Sequence, residues 1–251
     1  MFEISLIPAF KDNYIWLLTL GNRAFVVDPG DAAPVLAKLE AACLTLEGIL
    51  ITHHHADHQG GIAELSACYQ PKIFAPANES ITGCTVPLSG GESIAVLGQV
   101  MQVMAVPGHT QGHLAYYTPG ALFCGDTLFG AGCGRLFEGT PAQMSASLDS
   151  IAKLPDETRV YCAHEYTEVN LRFALAVEPE SAALQQRVAK VAAQRAAGLA
   201  SVPSVLAEEK ATNPFLRCSE AAVIAAGLQH AAVDCSKTAI FAAIRGWRNN
   251  F

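Results

Sequence analysis

The sequence predicts an α/β fold: a β-rich segment threaded with helices over the first two-thirds, followed by a smaller all-helical domain. Three observations carry this. Short β-branched and aromatic runs alternate with turns and helical stretches as far as residue 166. Histidine and aspartate recur directly after apolar runs, as in folds that place chemistry on loops at strand ends. From Thr167 onward the chain turns Ala- and Gln-rich, with helical periodicity and few β-branched runs. The domains read this way are 1–166 and 167–251.

In chain order, residues 2–7, 14–20 and 24–27 read as strands, and Asp28-Pro29-Gly30 closes the third as a turn. Residues 31–42 read as a helix with Val35, Leu36 and Leu39 on one face. A short apolar strand at 48–52 runs into a histidine cluster, a helix at 59–69 follows, and 72–75 is the next strand. Further strands are expected at 93–97, 100–106, 114–118 and 121–124. Thr140-Pro141 opens a helix to about residue 154, with Thr as N-cap and Pro at the first helical position. One more strand is expected at 159–163. Helices are then expected at 169–177, 181–197, 202–210 and 236–244.

Composition narrows the function classes. With 251 residues, 51% apolar and 16% charged, the chain can bury a large core and is not a disordered segment. A net charge of −7 argues against a nucleic-acid binder, which needs clustered Lys and Arg. It leaves room for a small anionic ligand held by a local basic cluster. The first residues have neither the basic nor the apolar region of a signal peptide, and no run approaches the ~18 apolar residues of a membrane span. The eight cysteines include no CxxC pair, so reduced, mostly buried thiols in a cytoplasmic protein are expected.

Four of the eight histidines lie in Thr52-His53-His54-His55-Ala56-Asp57-His58. In an extended stretch residues two apart point the same way, so His53 and His55 can meet one ion while His54 faces away. As the chain turns into a helix, Asp57 and His58 project to a neighbouring point. Neutral imidazoles with carboxylates suit zinc, and also iron or manganese. One such cluster cannot saturate two ions. Further ligands stand where later strands end: His109 in Pro107-Gly108-His109-Thr110, Asp126 in Cys124-Gly125-Asp126-Thr127, and His164 in Cys162-Ala163-His164-Glu165. Each alone is equally well a structural residue; together with the cluster they complete two sites.

This pattern is similar to that of the metallo-β-lactamase superfamily. Four stretches resemble, more narrowly, the hydroxyacylglutathione hydrolase (glyoxalase II) family: residues 52–58, 130–140 (GAGCGRLFEGT), 161–167 and 213–217 (NPFLR). The resemblance implies an αββα sandwich with a C-terminal helical domain that binds glutathione. It implies two divalent metal ions per chain, Zn first, with Fe or Mn sharing the same ligand types. It assigns His53, His55 and His109 to one metal and Asp57, His58 and His164 to the other, with Asp126 bridging; Asp57 and Asp126 are the catalytic carboxylates. It places substrate contacts on Arg135, Tyr166, Arg245 and Arg248. Arg stands at 135 and 248 where some members carry Lys, and Phe137 where others carry Tyr, which keeps the charge but changes its geometry.

The implied reaction is hydrolysis of S-D-lactoylglutathione to D-lactate and glutathione, the second step of methylglyoxal detoxification. It would run in a cytoplasmic monomer without nucleic-acid or membrane partners. Asp28 and His113 would either orient ligand imidazoles or serve as plain structural hydrogen-bonding groups. Read without the resemblance, Arg245 and Arg248 look like an ordinary solvated helix end. The rival reading is an iron-dependent persulfide dioxygenase of the same fold, against which the full ligand set for two ions and the long helical tail both argue.

Overall fold

The computed structural model describes residues 2–251. Contacts divide the chain into two compact units: residues up to Ala105 with Thr110–Gly125, and Val106–His109 with Asp126–Phe251. The expected division at 166 follows secondary-structure character; the compact units cut across it, because residues 126–166 pack with the helices that follow.

The first unit contains β1 (Glu3–Ala9), β2 (Asn13–Leu20), β3 (Arg23–Val27), α1 (Ala32–Ala41), β4 (Thr45–Leu50), α2 (Ala56–Gln59), α3 (Ile62–Tyr69), β5 (Lys72–Pro76), β6 (Val86–Leu88), β7 (Ser93–Val96), β8 (Gln99–Ala105), β9 (Leu114–Thr118) and β10 (Ala121–Gly125). One sheet has the order β1-β2-β3-β4-β5-β6, antiparallel from β1 to β3 and parallel from β3 to β6. The second is the antiparallel run β10-β9-β8-β7. Helices α1 and α3 cover one face of the first sheet, where Val35, Leu39, Ile62 and Leu65 pack with Leu17, Val26, Ile49 and Ile73. The buried Tyr116 of β9 donates its hydroxyl to Ile51 O at 2.7 Å, tying the second sheet to the end of β4. β2 and β3, buried over most of their length, read as continuous apolar runs, whereas β8 alternates.

Turn chemistry fixes the hairpins. Val96 pairs with Gln99 across Leu97-Gly98, both at positive φ, the signature of a two-residue hairpin loop. Thr118 pairs with Ala121 across Pro119-Gly120, with Gly120 at φ +87°.

The second unit contains β11 (Leu128–Phe129), β12 (Gly132–Cys133), α4 (Pro141–Ala152), β13 (Arg159–Cys162), α5 (Thr167–Val177), α6 (Ala182–Ala196), β14 (Ser204–Val205), α7 (Leu206–Thr212), α8 (Ala221–Gln229) and α9 (Lys237–Asn249). Thr140 caps α4 in a reciprocal box with Gln143. Leu171 and Ala174 of α5 pack with Leu184 and Val191 of α6. Phe173, Phe215, Phe241 and Trp247 form a second, aromatic cluster. Among the described residues no helix is long and apolar enough to cross a membrane.

Several expectations need correction. The helix expected at 59–69 is two: α2 stops at Gln59, and Gly61 is the N-cap of α3. The helix expected at 202–210 begins only at Leu206, because Ser204–Val205 pairs with β13. The last helix runs to Asn249, beyond the expected 244. Helix α8 was not anticipated; its Gly227 lies so close to Ile240 that an added Cβ would sit 2.9 Å from Ile240 Cδ1. Among the described residues no disulfide joins the cysteines, and only half of them are buried: Cys124, Cys133, Cys162 and Cys218 are buried, Cys84 is intermediate, and Cys43, Cys68 and Cys235 are exposed.

Candidate metal centre and basic cleft

The histidine cluster follows β4 and turns into α2. What holds it is Asp28, at positive φ in the turn after β3. Its buried carboxylate accepts from Thr52 N at 2.8 Å, Thr52 Oγ1 at 2.7 Å and His58 Nδ1 at 3.1 Å. Gly30, in the same turn, has no room for a side chain: an added Cβ would lie 1.9 Å from Asp57 O. Within the first unit His53, His55, Asp57 and His58 come together. His53 Nε2 lies 3.0 Å from His55 Nδ1, and the His53 and His58 rings are 4.0 Å apart. His58 Nε2 lies 3.5 Å from Asp57 Oδ2, and Asn13 Nδ2 donates to that same oxygen at 2.9 Å. His113 stacks on His53 at 4.7 Å. The ring of His54 turns instead to Glu79, 3.0 Å away.

The second unit carries the remaining three donors, all buried. Asp126 Oδ2 lies 3.4 Å from His109 Nε2, and its other oxygen, Oδ1, lies 3.3 Å from His164 Nε2. One carboxylate thus addresses two imidazoles with separate oxygens. An added Cβ on Gly134 would meet Asp126 O at 1.9 Å, so this backbone approach also requires glycine.

Hydrogen-bond partners assign the tautomers. Carboxylate and carbonyl oxygens only accept, so His58 Nδ1, facing Asp28, and His109 Nδ1, 2.8 Å from Arg135 O, carry the protons. The Thr52 hydroxyl spends its proton on Asp28 and therefore accepts from His53 Nδ1 at 3.0 Å. His53, His58 and His109 are each left with Nε2 as the lone-pair nitrogen, the form that binds a cation. Ligand atoms bound tetrahedrally at about 2.1 Å sit roughly 3.4 Å apart, and the spacings above match that closely. The donor set supports a divalent metal site.

The four expected substrate contacts also come together, in the second unit. A cleft of about 210 Å³ is lined by Arg135, Tyr166, Arg245 and Arg248, with Phe129, Cys133, Asn170 and Asn249. Arg245 is not a solvated helix end: it is buried, donates to Cys133 O at 3.0 Å and lies over Phe215. Arg248 donates to Asn170 Oδ1 at 3.4 Å and lies over Phe173. Burial, and then the neighbouring Arg245, push the Arg248 guanidinium below its ordinary pKa. Such crowding of cations favours an anionic occupant. The cleft adjoins the donors: Tyr166 stacks on His164 at 4.7 Å and an interplanar angle of 4°, and Arg135 O receives His109. Asn13, Glu79 and Asn170 have no sequence signal, being single polar residues at a strand start, in a loop and on a helix; Asp28 and His113 could be singled out.

The fold and donors define the class first. The family model of the metallo-beta-lactamase superfamily matches residues 10–164. The crystal structure of ETHE1 from Myxococcus xanthus is similar at 26% identity with a TM-score of 0.65, over 85% of this chain and 83% of that one. The remainder, residues 165–251, matches the hydroxyacylglutathione hydrolase C-terminus. Relatives named hydroxyacylglutathione hydrolase match over the whole of both chains, at 77% identity from Dechloromonas aromatica (strain RCB) and 56% from Methylobacillus flagellatus. The chain belongs to the hydroxyacylglutathione hydrolase family, thioester hydrolases of the metallo-β-lactamase fold. The dioxygenase reading is not favoured.

Proposed function

We propose that the chain hydrolyses S-D-lactoylglutathione, and related 2-hydroxyacyl thioesters of glutathione, to the hydroxy acid and glutathione, as the second step of methylglyoxal detoxification. His53, His55 and His109 would hold one divalent ion and Asp57, His58 and His164 a second, with Asp126 shared; Zn suits these donors, as do Fe and Mn. When bound, such a pair supplies a nucleophilic water at neutral pH and polarises a carbonyl oxygen. The chain's own groups do the rest. Asp28 and the Arg135 carbonyl fix three imidazole tautomers. Asn13 holds the Asp57 carboxylate. Arg135, Arg245 and Arg248 receive the two glutathione carboxylates, with the Tyr166 hydroxyl beside them. A thiolate leaves readily, so no general acid is required at the sulfur. The enzyme acts as a cytoplasmic monomer on a small-molecule substrate, with no nucleic-acid or membrane partner.

The observation that carries this reading is the continuity, within one compact unit, of the His109–Asp126–His164 donors with a three-arginine cleft through Tyr166 and Arg135. The test follows thioester absorbance with S-D-lactoylglutathione, with and without chelator, on the parent and on Asp126→Asn. Chelator should abolish turnover. Asp126→Asn should lose bound metal and reduce kcat by more than about 100-fold. Full metal content with near-parental kcat in that variant would overturn the shared-carboxylate assignment.

A further inference from the structure

Glu79 lies between β5 and β6, in a segment to which the sequence assigns no motif, and its side chain is only 3% exposed. All its hydrogen-bond donors come from two other loops. Oε2 accepts from His54 N at 2.6 Å and from the His54 ring at 3.0 Å. Oε1 accepts from Gly112 N at 2.9 Å and from the Thr110 hydroxyl. The His54 amide and ring belong to the residue flanked by His53 and His55. Thr110 and Gly112 belong to the loop that follows His109 and leads into His113, which stacks on His53. Gly112 is part of the same fit, since an added Cβ would lie 2.6 Å from Glu79 Cγ. Gln59 adds a strut, donating to both His54 O and Ser80 O.

We propose that Glu79 is a positioning residue for the metal centre, a buried carboxylate clamp that joins the two loops bearing His53, His55 and His113 and turns the intervening His54 away. The chemistry of the clamp requires a carboxylate. Two of the partners, His54 N and Gly112 N, can only donate, and they face different oxygens, so only a group that accepts at both positions satisfies both. A glutamine amide would set its NH₂ against one of these two backbone N–H groups and weaken the hold on that loop. The looser loop loses the preset spacing of His53 Nε2 and His55 Nδ1, so metal affinity falls while the fold, built on the cores around α1, α3 and the sheets, is retained.

This inference rests on the proposed metal role of His53 and His55, and the experiment separates the two. Parent, Glu79→Gln, Thr110→Val and the double variant carrying both substitutions, purified as holoenzymes, are dialysed against graded chelator, and metal per chain is measured by elemental analysis alongside circular dichroism and thermal melting of the stripped forms. Glu79→Gln should bind metal about 10–100-fold more weakly than the parent with an unchanged folded spectrum. Thr110→Val, which removes one donor, should show a smaller loss, and the double variant should lose little beyond Glu79→Gln alone. If the parent binds no metal, the reading of the site fails. If the parent binds metal and both single variants release it at the parental chelator concentration, the clamp fails. Additive losses in the double variant overturn it equally, because Thr110 and Glu79 would then act separately. Should Glu79→Gln not fold, Thr110→Val alone decides by the same comparison.

Discussion

At the scale of single residues, the donors of the site are ordinary in kind and unusual only in what stands behind them. Asp28 serves two histidines, one directly and one through the Thr52 hydroxyl, so one buried carboxylate sets the proton positions of both. The cysteines show the opposite case, groups made inert by their surroundings. Burial pushes the thiols of Cys162 and Cys218 up to about 12, and raises Cys133 against the opposing pull of Arg245. The thiolate is the reactive form, so at pH 8 a thiol of pKa about 12 is ionised to only ~10⁻⁴. Titration of the native protein with a disulfide reagent at pH 8 should therefore show Cys43, Cys68 and Cys235 reacting fast and Cys84 more slowly, with the other four reacting only on unfolding. Fast modification of five or more thiols would contradict the burial described. The seven expected donors were legible because clustering and strand-end position reinforce one another. Glu79 and Asn13 were not, because an isolated polar residue in a loop or at the start of a strand has no period and no partner visible in the chain order.

Elements were legible where local chemistry marks their ends. The Thr140-Pro141 start of α4 and the Asp28-Pro29-Gly30 turn that closes β3 stand where expected, since capping and turn preference are local. Two-residue strands such as β11, β12 and β14 carry no period at all, and α7 starts late because strand pairing, a long-range effect, overrides local helix preference. Helix α9 is the instructive case. Its buried face is Ile240, Phe241, Ile244 and Arg245, so a stripe that begins apolar ends on a guanidinium. Truncating the last eight residues would remove Ile244 from the core together with both arginines, and would confound binding with folding. Arg248, only partly buried at the far end of α9, is the cleaner probe. Arg248→Ala removes a charge-assisted contact of about 1.5–3 kcal/mol, so KM for the glutathione thioester should rise roughly 10–100-fold. Metal content and kcat should stay near parental values. An unchanged KM would remove Arg248 from the substrate site.

For the whole molecule, the arginine cleft must work against the sign of the protein that contains it. The net charge is −7, and two bound divalent ions would still leave it negative, while the proposed substrate is itself an anion. The two fields act over different distances. Repulsion comes from acidic residues spread over the surface, and is screened once the Debye length contracts from about 30 Å at 0.01 M salt to about 8 Å at 0.15 M. Attraction would come from Arg135, Arg245 and Arg248 lining one cleft, exposed, buried and half-buried respectively, in direct contact with an anion bound there. Salt therefore removes the unfavourable field first. KM should hold steady or fall as ionic strength rises to about 0.15 M, then climb toward 1 M, where screening reaches about 3 Å and the contacts themselves weaken. Arg248→Ala should lie above the parent throughout and climb less steeply at the high end. Steady-state kinetics across a salt series of weakly binding ions would measure this. A KM that climbs steeply from the lowest salt would mean that long-range attraction, and not local contact, captures the substrate.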